Sequence, residues 1–130
     1  MNVRMFNGDL DYDDVVGWWS KQSWPVLPKQ ALSPSGFIAE VNGTKLAATW
    51  IFSTNCPIYI MEWTVGNPDV DYNIRNEALI KVTDAACDWA KKDGAVQVFT
   101  MTKHKRFIDK LESNGFQISD SGMTHLIRSL

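Results

Sequence analysis

Two side chains in this sequence of 130 residues are candidates for proton transfer. Glu62 lies in Ile58-Tyr-Ile-Met-Glu-Trp-Thr-Val65, a run otherwise apolar on both faces. A carboxyl group placed there loses solvent, and desolvation raises its pKa toward the range where a general base works near neutral pH. On the polar side of a strand the same glutamate is a paired or solvated carboxylate. His104 opens a short amphipathic segment within Lys103-His-Lys-Arg106, and imidazole titrates near neutrality without perturbation. Its plain alternative is a solvated residue in a basic helix start. The basic run can hold an anion such as a phosphate, or it can be a solvated helix face. Cys56 and Cys87 form no CxxC pair, and with His104 and His125 as the only histidines a four-ligand zinc site is not expected. Both cysteines read as indifferent thiols, and no Ser-His-Asp or Cys-His spacing suggests a nucleophile. Trp18, Trp19 and Trp24 cluster beside Pro25 and Pro28, where aromatic rings can wall a substrate site or form a partner surface; Trp50, Trp63 and Trp89 fall on core-like faces.

The elements that must position these residues follow from period and turn chemistry. Val3 to Phe6 reads as a first strand. Asp9-Leu-Asp-Tyr-Asp-Asp supplies N-cap candidates for a short amphipathic helix carrying Val15, Val16, Trp18 and Trp19. Prolines 25, 28 and 34 then make about 15 residues irregular or a short helix. Asn42-Gly43 between two apolar runs fits a type I′ turn, because both central residues need φ > 0, and so predicts an antiparallel hairpin of Phe37–Val41 with Thr44–Phe52. Ile58 to Val65 suits a central strand. Ala78, Leu79, Val82, Ala85, Ala86, Trp89 and Ala90 recur at helical spacing and end at Asp93-Gly94. Ala95 to Thr102 reads as a strand, Lys103 to Ser113 as a helix, and Phe116–Ser119 with Met123–Ile127 as a closing hairpin. The order β-α-β-β-β-α-β-α-β-β is an α+β fold: a mixed, mostly antiparallel sheet flanked by helices.

Composition bounds what such a fold does. With 13 basic and 15 acidic residues the net charge is −2, which argues against electrostatically driven nucleic-acid binding. No 18-residue apolar run predicts a membrane span, and charge near the N-terminus does not suit a signal peptide. One domain over residues 1–130, in a reducing intracellular, cytoplasmic setting, is the expectation.

Three stretches carry a resemblance. Glu62-Trp-Thr-Val-Gly-Asn-Pro-Asp-Val-Asp-Tyr-Asn-Ile-Arg-Asn-Glu-Ala-Leu-Ile80, Asp88-Trp-Ala-Lys-Lys-Asp-Gly94 and Arg106-Phe-Ile-Asp-Lys-Leu-Glu-Ser-Asn-Gly-Phe116, with the order of elements, resemble the GCN5-related N-acetyltransferase superfamily, notably its small phage-encoded members. The resemblance spans nearly the whole chain. It implies acetyl-CoA or CoA as cofactor, with pantetheine pairing like a strand along Trp63, Thr64 and Val65. It further implies phosphates near Asn73, Ile74, Arg75 and Asn76 at a helix N-terminus, and Lys103 near an anion. The superfamily's Arg/Gln-x-x-Gly-x-Gly/Ala loop uses small residues where this chain has Asp71, Ile74 and Asn76. Its frequent tyrosine acid falls on Leu111, and its helix-start asparagine on His104.

Acyl transfer to an amine needs a neutral amine. A lysine-like amine of pKa about 10.4 pays roughly 4–5 kcal/mol for that at pH 7, whereas a thiol of pKa about 8.5 leaves at a cost of only about 2 kcal/mol. A base therefore matters more than an acid, which assigns the catalytic roles to Glu62 and His104. Trp18, Trp19 and Trp24 would border a small-molecule or protein amine acceptor. The competing expectation is an inactive relative that uses this Trp-rich segment to bind a protein partner, because function resides in the site and not in the fold.

Overall fold

Asn42 and Gly43 both adopt positive φ, 48° and 80°, and close a two-residue turn between paired Val41 and Thr44. The computed structural model, which describes all 130 residues, builds its sheet outward from this hairpin. The strands are β1 (Asn2–Met5), β2 (Gly36–Val41), β3 (Thr44–Phe52), β4 (Ile58–Gly66) and β5 (Gln97–Phe99). They lie in the order β1-β2-β3-β4-β5, antiparallel except for the parallel β4–β5 pair. Helix α1 (Gly8–Lys21) joins β1 to β2 through a loop with one 3-10 turn at Lys29–Ala31. Helices α2 (Tyr72–Lys92) and α3 (Lys105–Ser113) flank β5 in sequence. No helix is long and apolar enough to cross a membrane.

Each face of the sheet carries its own core, which is why β2 and β3 read as apolar on both sides. Ala78, Val82, Ala86 and Ala90 of α2 cover Phe37, Ala39, Ile51, Tyr59 and Met61, and Leu111 of α3 joins them. On the opposite face Val15, Trp18 and Trp19 of α1 cover Ile38, Ala48, Trp50 and Val65. Burying one such large side chain contributes roughly 1.5–3 kcal/mol. Gly36 is required here: a Cβ would lie 2.5 Å from the Trp50 indole.

Beneath α1 the sheet edge holds a buried charge. Asp11 is wholly buried and takes two hydrogen bonds from Arg4, at 2.8 and 2.9 Å, one from the Asn7 N–H at 2.8 Å, and an ion pair from Lys45 at 3.0 Å. Burial alone would raise its pKa, but these partners outweigh that and hold it at about 2.

Several expectations are corrected. The α1 cap is Asn7, whose side chain accepts from the N–H groups of Asp9 and Leu10, so the aspartates read as caps lie within the helix. Strand β5 is three residues, not eight, because the chain leaves β4 after Phe99. The closing hairpin is not formed: residues 116–130 hold no strand, and all from Gln117 onward are exposed. Its second arm places apolar Met123, Leu126 and Ile127 at spacings of three and one, out of step with the two-residue period a half-buried strand needs.

Candidate active site

Strand β4 carries one residue too many for its partner. Ala48 pairs with Val65 and Trp50 with Glu62, so two steps on β3 face three on β4. The bulge falls at Trp63, the only strand residue with positive φ, 64°. A bulky side chain in that region costs on the order of 1–3 kcal/mol and persists only where its surroundings compensate. Here they do: the Trp63 ring meets Trp19 edge-on at 5.8 Å, and the Trp63 carbonyl accepts the Trp19 indole N–H at 3.3 Å. Bulges re-aim side chains and end pairing next to functional sites. This one sets Glu62 and Trp63 on the same side of the sheet.

The outer edge of β4 is already open where the bulge falls. Strands β4 and β5 are joined only from Ile58–Ile60 to Gln97–Phe99, so β4 runs on to Gly66 with its outer edge free of any strand. Across the opening the Met101 N–H donates to Glu62 Oε1 at 3.2 Å. Glu62 is half-buried; burial pushes its pKa above the ordinary value, while His125 and the N–H groups of Met101 and Trp63 pull the other way. A carboxyl group so held is a stronger proton acceptor than a solvated one.

The turn after β4 is braced from three sides. Asn67 donates to the Lys45 carbonyl at 2.8 Å and accepts from the Asp69 N–H at 2.9 Å, and Lys21 at the end of α1 pairs with Asp69 at 2.7 Å. Asp71 then caps α2, its carboxylate accepting from the N–H groups of Asn73 and Ile74 at 2.9 and 3.4 Å. These are the amides an anion would otherwise use at a helix N-terminus. The Arg75 side chain folds back over Gly66, where a Cβ would come within 2.6 Å of it, and donates to the carbonyls of Asn67 and Pro68.

The other expected site residues are distributed unevenly. His104 is the exposed N-cap residue of α3, makes no side-chain capping bond, and packs against Trp24 with ring centroids 5.3 Å apart. Lys103 is exposed before the helix, and Thr64 bonds Thr49 through their hydroxyls at 2.6 Å. Trp18 and Trp19 do not line an acceptor site: both are buried in the core under α1, as the i, i+3, i+4 spacing of Val15, Trp18 and Trp19 requires. Only Trp24 of that trio is placed beside a candidate catalytic residue. Leu111 is buried in the core and has no proton to give. No cluster of three or more His, Cys, Asp or Glu is placed to hold a metal ion.

Sequence reasoning missed Tyr72, which opens α2 with Arg75 5.7 Å and Arg106 5.1 Å from its ring centroid. A tyrosine three residues before an arginine in a helix's first turn is the local signal for half of this cluster.

A pantetheine arm fits the free edge of β4, which offers backbone donors and acceptors. The start of α2 fits a pyrophosphate less well, since Asp71 already occupies two of its amides.

No family model and no curated protein matches the sequence. Solved structures do match in shape. A Mycobacterium tuberculosis protein in complex with CoA superposes with a TM-score of 0.73 at 13% identity, covering 95% of this chain and 76% of that one. Glucosamine-6-phosphate N-acetyltransferase from Arabidopsis thaliana gives 0.67 at 12% identity over 98% of each chain. A mutant of a Thermus thermophilus protein gives 0.73 at 18% identity, covering 100% of this chain and 98% of that one. The chain shares their fold, the mixed α+β sheet flanked by helices.

Proposed function

We propose that this protein is an acyl-CoA-dependent N-acyltransferase that transfers an acetyl group to an amine. The observation that carries the reading is the β4 bulge. The bulge falls within the stretch from Met61 to Gly66, whose outer edge has no strand partner, and half-buried Glu62 sits beside it. The shared fold with an N-acetyltransferase and with a protein solved bound to CoA supports it.

Bound acetyl-CoA would supply an acyl group activated as a thioester. The chain's residues do the rest. Backbone groups of Trp63, Thr64 and Val65 hold the extended arm of the cofactor. Glu62, with its raised pKa and its hydrogen bond from the Met101 N–H, takes the proton of the acceptor amine directly or through one water. His104, its ring tilted 41° against Trp24, stands at the start of α3 as the second candidate catalytic residue. Leu111 leaves no tyrosine-type acid on α3, which costs little because a thiolate leaves readily.

A second reading, a catalytically silent relative that binds a protein partner, draws on the Asp71 carboxylate at the start of α2. Calorimetric titration with acetyl-CoA and free CoA separates the two. Micromolar binding is expected, with amine-dependent thiol release that falls about 10²- to 10⁴-fold in Glu62→Gln. No heat at millimolar ligand would overturn the transferase reading.

A further inference from the structure

Strand pairing sorts the side chains of β3, β4 and β5 by face. Ile51, Tyr59, Met61 and Val98 pack into the core under α2, so their neighbours Phe52, Ile60, Glu62 and Phe99 lie on the α1 face. Phe52 pairs with Ile60 and Ile60 with Phe99, which sets three apolar side chains in a row across three strands. Helix α1 leaves this row open, because its Val15, Trp18 and Trp19 cover Ile38, Ala48, Trp50 and Val65. Ile60 is accordingly 36% and Phe99 55% exposed, with Phe52 half-buried at the margin. A single exposed apolar residue needs no explanation, but a contiguous row beside a half-buried carboxylate does. Glu62 is the next residue on this face of β4, about 6.5 Å along the strand from Ile60. No lysine or arginine pairs with it. Its carboxylate is thus open to a cationic group brought in over the row.

We infer that the acceptor is an arylalkyl amine, whose ring lies on the Phe52–Ile60–Phe99 row while its nitrogen meets Glu62. That this amine is acetylated rests on the proposed acyltransferase reading; the preference for an apolar body rests on the row and Glu62 alone. Two phenylalanine rings offer edge and face contacts to a third, which an aliphatic surface does not. Spacing sets the length, since an amine nitrogen and a phenyl ring two carbons apart span about the step from Glu62 to Ile60. Amino alcohols and amino sugars leave the row in water, and acidic acceptors meet repulsion from Glu62.

The test compares 2-phenylethylamine with 2-aminoethanol, primary amines of similar basicity, on the full chain. Calorimetry reads the binding of each amine and of acetyl-CoA, and amine-dependent thiol release reads transfer. Both are repeated on Phe99→Gln, with Leu10→Gln, exposed on α1 near Lys45, as the control and circular dichroism as the check on folding. Wild type is expected to favour 2-phenylethylamine in kcat/KM by about 10- to 100-fold. Phe99→Gln should lose about tenfold of that preference with 2-aminoethanol unchanged, and the control should keep it. Equal use of the two amines, or a preference that Phe99→Gln leaves intact, would overturn the row assignment and leave acyl transfer standing. So would acetyl-CoA binding with neither amine bound or acetylated. A wild-type dimer in sedimentation equilibrium that Phe99→Gln dissociates would assign the row to a second copy instead. If 2-phenylethylamine binds wild type and not Phe99→Gln, in a protein that binds no acetyl-CoA, the row stands and acyl transfer is overturned. Failure of all three ligands to bind would overturn both.

Discussion

Replacing Asp71 with asparagine should strengthen cofactor binding, an unusual direction for a change at a binding site. The amide keeps an oxygen that can accept from the Asn73 and Ile74 N–H groups, and asparagine caps helices about as well as aspartate. Stability should fall only by the lost charge–dipole contribution, about 0.3–1 kcal/mol. Binding gains more. A unit charge about 5 Å from a second repels it by about 0.8 kcal/mol in water, so a pyrophosphate with two charges is opposed by about 1.6 kcal/mol. Screening at physiological ionic strength removes roughly half. The expected gain is therefore about fourfold in Kd at 0.15 M salt and about tenfold at low salt. Titration of both proteins with acetyl-CoA at two ionic strengths, beside urea unfolding, measures both quantities. An Asp71→Asn protein that folds as well as wild type and binds acetyl-CoA no more tightly at either salt concentration would refute the reasoning.

Other perturbations test the scaffold and the base. Asp11→Asn leaves Arg4 and Lys45 facing a neutral group and should cost about 2–4 kcal/mol in urea unfolding at pH 7. A carboxylate held at about 2 against an ordinary 3.8 contributes about 2 kcal/mol of this. That share is complete above pH 3.8 and lost as pH falls through 2, so the gap from wild type should narrow on acidification; a gap constant with pH would contradict it. At position 63 the positive φ should invert the usual strand preference, making Trp63→Gly more stable than Trp63→Ala by about 1 kcal/mol in urea unfolding. Glu62 binds its proton more tightly folded than unfolded, so its charged form weakens the fold as pH rises past 4.5. Glu62→Gln should accordingly be at least as stable as wild type at pH 7 in thermal unfolding, even as acyl transfer collapses.

What the sequence disclosed and what it hid divide along the range of the interactions. The Asn42-Gly43 turn and the 3.6-residue period through Ala90 are local signals, and both elements formed where the pattern places them. The bulge at Trp63 left no local mark, because the contacts that support it come from Trp19, 44 residues away in sequence. Trp19 lies in the core and not on a substrate wall because Val15, Trp18 and Trp19 share the inward face of α1. Asp71 was legible as a departure from small-residue loops, but its role as the α2 cap needed the backbone to be seen. Glu62 could be picked out as a carboxylate in an apolar strand, whereas the Met101 N–H that meets it comes from a segment expected to continue as β5. The terminal hairpin failed because four alternating residues in one arm and none in the other do not compensate for ordering the chain.

Hydrogen exchange along β4 tests the central assignment most directly. The backbone amides of residues 62–66 that face away from β3 have no strand partner and should exchange quickly in the free protein. Adding millimolar acetyl-CoA is expected to protect those amides at least about tenfold, while amides paired with β3 stay as they were. Unchanged exchange along that edge in the presence of acetyl-CoA would contradict the reading of β4 as the cofactor strand.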